Sequence, residues 1–149
     1  MDLLVERIHN GTVIDRIAPF NSIRVLEILN LNSGQTESHK YRIAAVINVP
    51  SKKSGRKDIL KIEGKILSAR EVNKIALVSP KAVVNIIENE KVISKKSVEL
   101  PKEISGLAFC PNPNCVSHCN KSVCRFKAGG GKFRCHFCER VFDANELIL

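Results

Sequence analysis

All six cysteines of this chain lie between Cys110 and Cys138, and none occurs among the first 109 residues. They read as Cys-x4-Cys (Cys110, Cys115), then Cys119 and Cys124, then Cys-x2-Cys (Cys135, Cys138). Two close pairs joined by a spacer suit a tetrahedral thiolate site, because each short loop turns two sulfurs inward while the spacer closes as a hairpin. Pro111, Asn112, Pro113 and Asn114 supply turn residues for the first loop, and Gly129-Gly130-Gly131 supplies the reversal between strands around Phe126 and Phe133. The expected ligands are Cys110, Cys115, Cys135 and Cys138, holding one zinc ion per chain. Four thiolates leave no open coordination position, so the zinc is expected to be structural. A disulfide cluster is the alternative, disfavoured in a reducing compartment. Cys119 and Cys124 can be free thiols, mutual disulfide partners or substitute ligands. His118 and His136 are further candidate ligands, with His136 expected to face solvent.

The same region marks a second folding unit. Five of the six phenylalanines (Phe109, Phe126, Phe133, Phe137, Phe142) fall there, enough for a small aromatic core that a metal crosslink would stabilise. Pro101 is the expected seam, giving domains 1–100 and 101–149. Hydrophobic residues are 44% of the chain, which excludes wholesale disorder. No apolar run approaches the roughly 20 residues needed to span a bilayer, and Met1 to Arg7 lacks the basic start and long apolar stretch of a secretory leader. The expectation is a cytoplasmic protein with no membrane partner.

A net charge of +9 invites a nucleic-acid reading. Residues 1–100 carry 17 Lys+Arg against 11 Asp+Glu (+6), and residues 101–149 carry 7 against 4 (+3), so the excess is spread over both units. Its densest cluster, Lys52, Lys53, Arg56 and Lys57, sits beside Pro50, Ser54 and Gly55 and reads as a solvated loop. With one Tyr and no Trp, platforms for stacking bases are scarce. No nucleic-acid partner is expected.

In the first hundred residues, Gly11 to Ile17 is rich in β-branched residues and reads as a strand. Asn21 or Ser22 can cap a helix carrying Ile23, Leu26 and Leu29 on its apolar side. Tyr41 to Val49 reads as a strand ended by Pro50. From Asp58 to Lys65 the pattern alternates, with Leu60 and Ile62 on one side and Ile59, Lys61 and Glu63 on the other. Ser68-Ala69-Arg70-Glu71 has the capping-box pattern and opens a helix with Val72, Ile75 and Ala76 on one face. Val83 to Ile87 and Lys91 to Val98 form a hairpin around Glu88-Asn89-Glu90. Strand, helix, strand, strand, helix, strand, with one strand more, is the order of an α+β, ferredoxin-like split βαβ fold: an antiparallel sheet with two helices on one face. A small all-β, zinc-ribbon-like domain follows.

Chemistry is missing from this pattern. There is no GxxxxGK[ST] loop and no GxGxxG fingerprint, and Gly129-Gly130-Gly131-Lys132 lies between ligand cysteines. His9, His39, His118 and His136 are scattered. The residues point to a binding or scaffolding protein and not to an enzyme.

Three segments resemble the regulatory chain of aspartate carbamoyltransferase: Gly11-Thr12-Val13-Ile14-Asp15-Arg16-Ile17; Pro50 through Gly55-Arg56-Lys57-Asp58 to Lys61-Ile62-Glu63; and Cys110-Pro111-Asn112-Pro113-Asn114-Cys115-Val116-Ser117-His118. Ala82 to Lys95 and the closing Cys135-x2-Cys138 fit as well. The resemblance implies an allosteric domain followed by a zinc domain, in a non-catalytic regulatory subunit of pyrimidine biosynthesis. It implies a homodimer formed through the N-terminal domain, CTP and ATP as effectors bound there, and a zinc domain that holds the catalytic chain. By position, Lys61 and Asp15 would meet the ribose and Lys95 the triphosphate, with Arg16 nearby. Ile8, Val13, Asn85, Ile87, Glu90 and Val92 would line the base and sugar pocket. Arg16 stands where some family members have His, and Glu90 where an aromatic residue can occur. Cys119 and Cys124 do not belong to the family's four-ligand set. The rival reading is a stand-alone zinc-ribbon protein that binds nucleic acid.

Overall fold

The computed structural model describes residues 7–32, 40–53 and 55–149. His39, Ser54 and the first six residues, on which part of the sequence reading rests, lie outside them. The chain divides into two compact units, Met1–Glu99 and Leu100–Leu149.

The first unit runs β1 (Gly11–Ile17), α1 (Ser22–Ile28), β2 (Arg42–Ser51), β3 (Gly55–Glu63), α2 (Ala69–Val78), β4 (Val83–Glu88) and β5 (Lys91–Ser97). Its sheet has the order β2-β3-β1-β4-β5, antiparallel at every pairing. This is the expected α+β arrangement, with β5 added at one edge. Alternation along the strands divides the sheet into two faces. Ile14, Leu60 and Ile62 are fully buried together with Val25 of α1 and Ile75 of α2. The opposite face carries Val13, Lys61, Asn85 and Ile87.

Local chemistry explains most of these boundaries. Ser68 Oγ accepts the Glu71 N–H at 3.2 Å, and a Glu71 carboxylate oxygen accepts the Ser68 N–H at 3.0 Å, so the capping box opens α2 as its sequence implies. Asn89 and Glu90 both have positive φ (51° and 67°) and form a two-residue turn between β4 and β5 whose twist matches the flanking strands. Gly11 is needed at the start of β1: its φ is +146°, and a Cβ there would lie 2.2 Å from the Ile62 carbonyl oxygen.

Three local readings change. The buried side of α1 is Ser22, Val25 and the following Leu29, whereas Ile23 is 53% exposed. Neither Asn21 nor Ser22 caps that helix by a side-chain bond to it. Asn21 Nδ2 donates to the Val78 carbonyl at 3.1 Å, and Ser22 Oγ donates to Asp58. Strand β2 also continues through Pro50, which pairs with Arg56. Proline is tolerated there because β2 is an edge strand and needs no donor on its outer side.

The second unit is a sheet of order β6-β7-β8-β9, from β6 (Glu103–Ser105), β7 (Arg125–Gly129), β8 (Lys132–Cys135) and β9 (Val141–Asp143). Phe126, Phe133 and Phe142 are buried in it, while Phe137 is 40% exposed. Gly130 and Gly131 take positive φ (58° and 77°) at the β7–β8 reversal. Among the described residues, no helix is long and apolar enough to cross a membrane.

Candidate functional site

The two cysteine loops bring four sulfurs together. The Sγ atoms of Cys110, Cys115, Cys135 and Cys138 all lie within 4.8 Å of one another. Cys110 and Cys138 are 3.7 Å apart at sulfur, as are Cys115 and Cys135. A tetrahedron of thiolates at the usual Zn–S length of about 2.3 Å has edges of about 3.8 Å, so the set fits zinc.

Each loop is shaped to aim its sulfurs. The Asn112 carbonyl accepts the Cys115 N–H at 3.0 Å, and Asn112 Oδ1 accepts the Asn114 N–H at 3.0 Å, an Asx turn that folds the first loop on itself. In the second loop, the Cys135 carbonyl accepts the Glu139 N–H at 3.0 Å, with Glu139 at φ 62°. Backbone N–H groups are directed at the sulfurs: Asn112 toward Cys110, Ser117 toward Cys115, and Phe137 and Cys138 toward Cys135. Such donors stabilise thiolate charge, the form that binds metal. Burial pushes the Cys115 thiol up, but the Ser117 side chain and backbone outweigh it and hold the group at about 7. Ser117 Oγ lies 3.1 Å from that sulfur. Burial raises the Cys110 and Cys135 thiols, a penalty that a cation within the cluster would offset.

The remaining candidates fall outside the cluster. Cys124 is buried, and its thiol donates to the Ser117 carbonyl at 2.9 Å; Cys119 is exposed, and both are free thiols. His118 Nδ1 donates to the Cys110 carbonyl at 2.6 Å, so its ring is tied to backbone. His136 is exposed, edge-on to Phe137.

In the first unit, β-sheet register sets one row of residues across four strands. Lys61 of β3 lies opposite Val13 of β1, Val13 opposite Asn85 of β4, and Asn85 opposite Lys95 of β5. Asn85 Nδ2 donates to the Val13 carbonyl at 3.3 Å. The β4–β5 turn folds toward the segment before β1: the Glu90 N–H donates to the His9 carbonyl at 2.9 Å, and the Asn89 N–H to Asn10 Oδ1 at 3.1 Å. The result is a cavity of about 450 Å³ lined by Arg7, Ile8, Val13, Lys61, Asn85, Ile87, Glu90 and Val92. Its lining combines apolar side chains (Ile8, Val13, Ile87, Val92) with polar ones that can orient a ligand (Arg7, Lys61, Asn85, Glu90), as a small-molecule site requires.

Seven of the ten residues expected at a nucleotide site line this cavity. Asp15, Arg16 and Lys95 do not. Asp15 accepts a 2.9 Å ion pair from Lys57 and the Arg16 N–H at 2.7 Å. Arg16 lines a second cavity, and Lys95 is an exposed residue of the edge strand β5. Arg7 also lines the first cavity, although nothing in its sequence context marks it as a site residue. Only its adjacency to Ile8 could have signalled it, since its position depends on how the chain enters β1.

Known proteins resemble this chain along both units. Residues 3–99 match the family model described as aspartate carbamoyltransferase regulatory chain, allosteric domain, and residues 102–148 match the corresponding metal binding domain. The chain is 46% identical over 150 residues to the aspartate carbamoyltransferase regulatory chain of Thermococcus sibiricus, covering 99% of this chain and 96% of that one. Identity to the regulatory chain of Pyrococcus horikoshii is 46% over 150 residues (99% and 97% covered). For that of Methanococcus maripaludis (strain S2) it is 44% over 151 residues (99% and 97%). With an allosteric unit, a metal-binding unit and relatives matched from end to end, the chain belongs to the family of aspartate carbamoyltransferase regulatory chains.

Proposed function

We propose that this chain binds nucleoside triphosphate effectors, CTP and ATP, in the cavity above β1, β3 and β4, and transmits their presence to catalytic chains held by its zinc domain. The observation that carries the reading is the gathering of Ile8, Val13, Lys61, Asn85, Ile87, Glu90 and Val92 around one 450 Å³ cavity. Strand backbone and Asn85 can read a base edge, the isoleucines and valines can cover its faces, and Lys61 can meet the sugar. Lys95, Lys57 and Arg16 would serve the phosphates, which need cations. Lys57 is already paired with Asp15, so a phosphate would compete with that carboxylate for it.

A regulatory chain is the non-catalytic subunit of its enzyme, and the pathway follows from that enzyme: pyrimidine biosynthesis. Cys110, Cys115, Cys135 and Cys138 would hold one zinc ion, which supplies folding energy and no reaction step. The zinc unit exposes Val116 (82%) and Phe137 (40%) beside the ligand loops, apolar side chains suited to an interface with the catalytic chain. For dimerisation, β2 is an outer strand of ten residues that includes Ile43, Ala44, Ala45, Val46 and Ile47. An edge of that length can pair with a second copy. The rival reading, a stand-alone nucleic-acid binder, has no support in a chain matched over both units.

The test is calorimetry of the full chain with CTP and with ATP, then mixing with its catalytic chain and gel filtration. Saturable binding that Lys61→Ala weakens, together with co-elution, supports the reading. If neither nucleotide binds, or if the catalytic chain elutes alone, the proposal fails.

A further inference from the structure

The second cavity of the N-terminal unit, about 700 Å³, opens where β1 ends and β3 begins. Four cationic side chains line it, Arg16, Lys53, Arg56 and Lys81, and no carboxylate is among its described lining residues. Like charges gathered around one concavity repel one another and create a local positive potential that an anion relieves.

Its walls are held in place. The Ala18 N–H, just past β1, donates to Ser79 Oγ at 3.1 Å, and Asn21 Nδ2 donates to the Val78 carbonyl at 3.1 Å. These bonds fasten the exit of β1 to the exit of α2, next to Lys81. One arginine, Arg16, stands at an irregular strand position, and the other, Arg56, is regularly paired with Pro50 but reaches back to an irregular one. Arg16 has φ +56°, at a register shift of β1 against β3 between Ile14 and Ile17. A bulge with a strained residue takes a side chain out of the strand's alternation, and such strain collects at functional positions. Arg56 Nη1 donates to the carbonyl of Asn48 at 3.1 Å. Asn48 (φ +58°) stands at the matching irregularity of β2, where Asp58 Oδ1 accepts its N–H at 2.8 Å.

We infer that this cavity is a site for the phosphate groups of an oligophosphate, held by Arg16, Lys53, Arg56 and Lys81. Guanidinium forks match phosphate oxygens in pairs, and lysines add point charge without demanding one geometry. Four cations suit an ion of several negative charges better than a single carboxylate. None of the described lining residues is aromatic, so the cavity is equipped for phosphate and not for stacking a base.

Two sources share this chemistry. One is a free inorganic oligophosphate. The other is the terminal phosphates of a nucleotide whose base occupies the first cavity, and this source alone rests on the proposed function. Val13 of the first cavity and Arg16 of the second are three residues apart on β1, about 10 Å of strand.

The experiment is calorimetry of the full chain at low salt with inorganic tripolyphosphate, with CTP and with CMP. It compares the wild type, Lys53→Ala/Lys81→Ala and Lys61→Ala. Both substituted lysines of the double variant are exposed, so it is expected to fold, and circular dichroism verifies this. The expected result is a loss of tripolyphosphate affinity on the order of tenfold per lysine in the double variant, with CMP unaffected. If tripolyphosphate competes with CTP and the double variant removes CTP's advantage over CMP, the source is the nucleotide's own phosphates. If tripolyphosphate and CTP bind together, and Lys61→Ala affects only CTP and CMP, the source is an inorganic ion. The inference is overturned if the double variant binds tripolyphosphate and CTP as the wild type does. It is equally overturned if the wild type binds no tripolyphosphate and takes CTP no more tightly than CMP. A chain that binds tripolyphosphate but neither nucleotide would sink the nucleotide reading and leave this site standing.

Discussion

Ser22 Oγ donates a 2.6 Å hydrogen bond to the carboxylate of Asp58, and both residues are fully buried. The same carboxylate accepts the Ser22 N–H at 3.1 Å and the Asn48 N–H at 2.8 Å. One side chain on β3 therefore fixes the start of α1 and the irregularity of β2, where the Asn48 carbonyl accepts from Arg56 of the second cavity. Burial pushes the Asp58 carboxyl up, but its hydrogen bonds from Ser22, Asn48 and Phe20 outweigh that and hold it below its usual 3.8. A depressed folded-state pKa contributes stability that is complete above the unfolded value and is lost as pH falls through the folded one. The wild type should thus lose stability below about pH 4, and Asp58→Asn should flatten that acid limb. Asp58→Ala, which strands several buried donors, should cost on the order of 3 kcal/mol. Urea unfolding from pH 3 to pH 7 measures both. An acid limb unchanged in Asp58→Asn would show that other carboxylates set it.

The zinc set yields a metal-retention prediction. Serine at Cys110, Cys115, Cys135 or Cys138 should abolish retention of one zinc per chain, measured by atomic emission after dialysis. Cys119→Ser should be neutral in metal and stability. Cys124→Ala should keep the metal yet destabilise the unit by about 1 kcal/mol, since the Ser117 carbonyl loses a buried donor. Metal loss in Cys124→Ala with retention in one of the four serine variants would reassign the ligands.

Much of this was legible in the residues because it is local. The capping box of Ser68 and Glu71, the Asn89-Glu90 turn and the cysteine loops each carry their geometry within a few positions. Leu60 and Ile62 were readable because strand alternation has a period of two. The buried side of α1 was not. Ile23 looks like a core residue but is exposed, while Ser22 is buried because a carboxylate on β3 receives it. The cation cavity was equally hidden. Lys53 and Arg56 read as a solvated loop, and only the return of the chain after α2 brings Lys81 beside them.

Glu90 offers a charge test of the first cavity. Its carboxylate lies 3.7 Å from His9 Nδ1, with both side chains largely exposed. Beside a nucleotide it would repel the phosphates. Glu90→Gln should therefore tighten CTP and ATP by a few-fold at low salt, with the gain shrinking at high salt as screening removes the repulsion. The cytidine nucleoside should change much less. A gain equal for nucleoside and triphosphate would mean that Glu90 acts on the base and not on charge.

Lys95 separates phosphate from base recognition. It lies on β5 opposite Asn85, in the same row as Lys61 and Val13 but outside the first cavity. If it serves the triphosphate, Lys95→Ala removes a charge-assisted contact of roughly 1.5–3 kcal/mol that the nucleoside never makes. Calorimetry should then show CTP weakened at least about tenfold and cytidine unchanged. Equal losses for the two would remove Lys95 from the phosphate end.

Zinc removal joins the two units in one experiment. The C-terminal unit has a small core, chiefly Phe126, Phe133 and Phe142, and structural zinc typically supplies about 10–16 kcal/mol of binding energy that is also folding energy. Chelation should therefore melt residues 100–149, while Ile14, Val25, Leu60, Ile62 and Ile75 keep the first unit folded and able to bind nucleotide. If the zinc unit is what holds the catalytic chain, stripping the metal should release that chain with its carbamoyl transfer intact. Nucleotide control should disappear, because coupling needs the effector site and the active site in one assembly. Size separation after chelation, with each fraction assayed with and without CTP and ATP, measures all three outcomes. Carbamoyl transfer that remained nucleotide-sensitive in a fraction lacking this chain would place the effector site elsewhere.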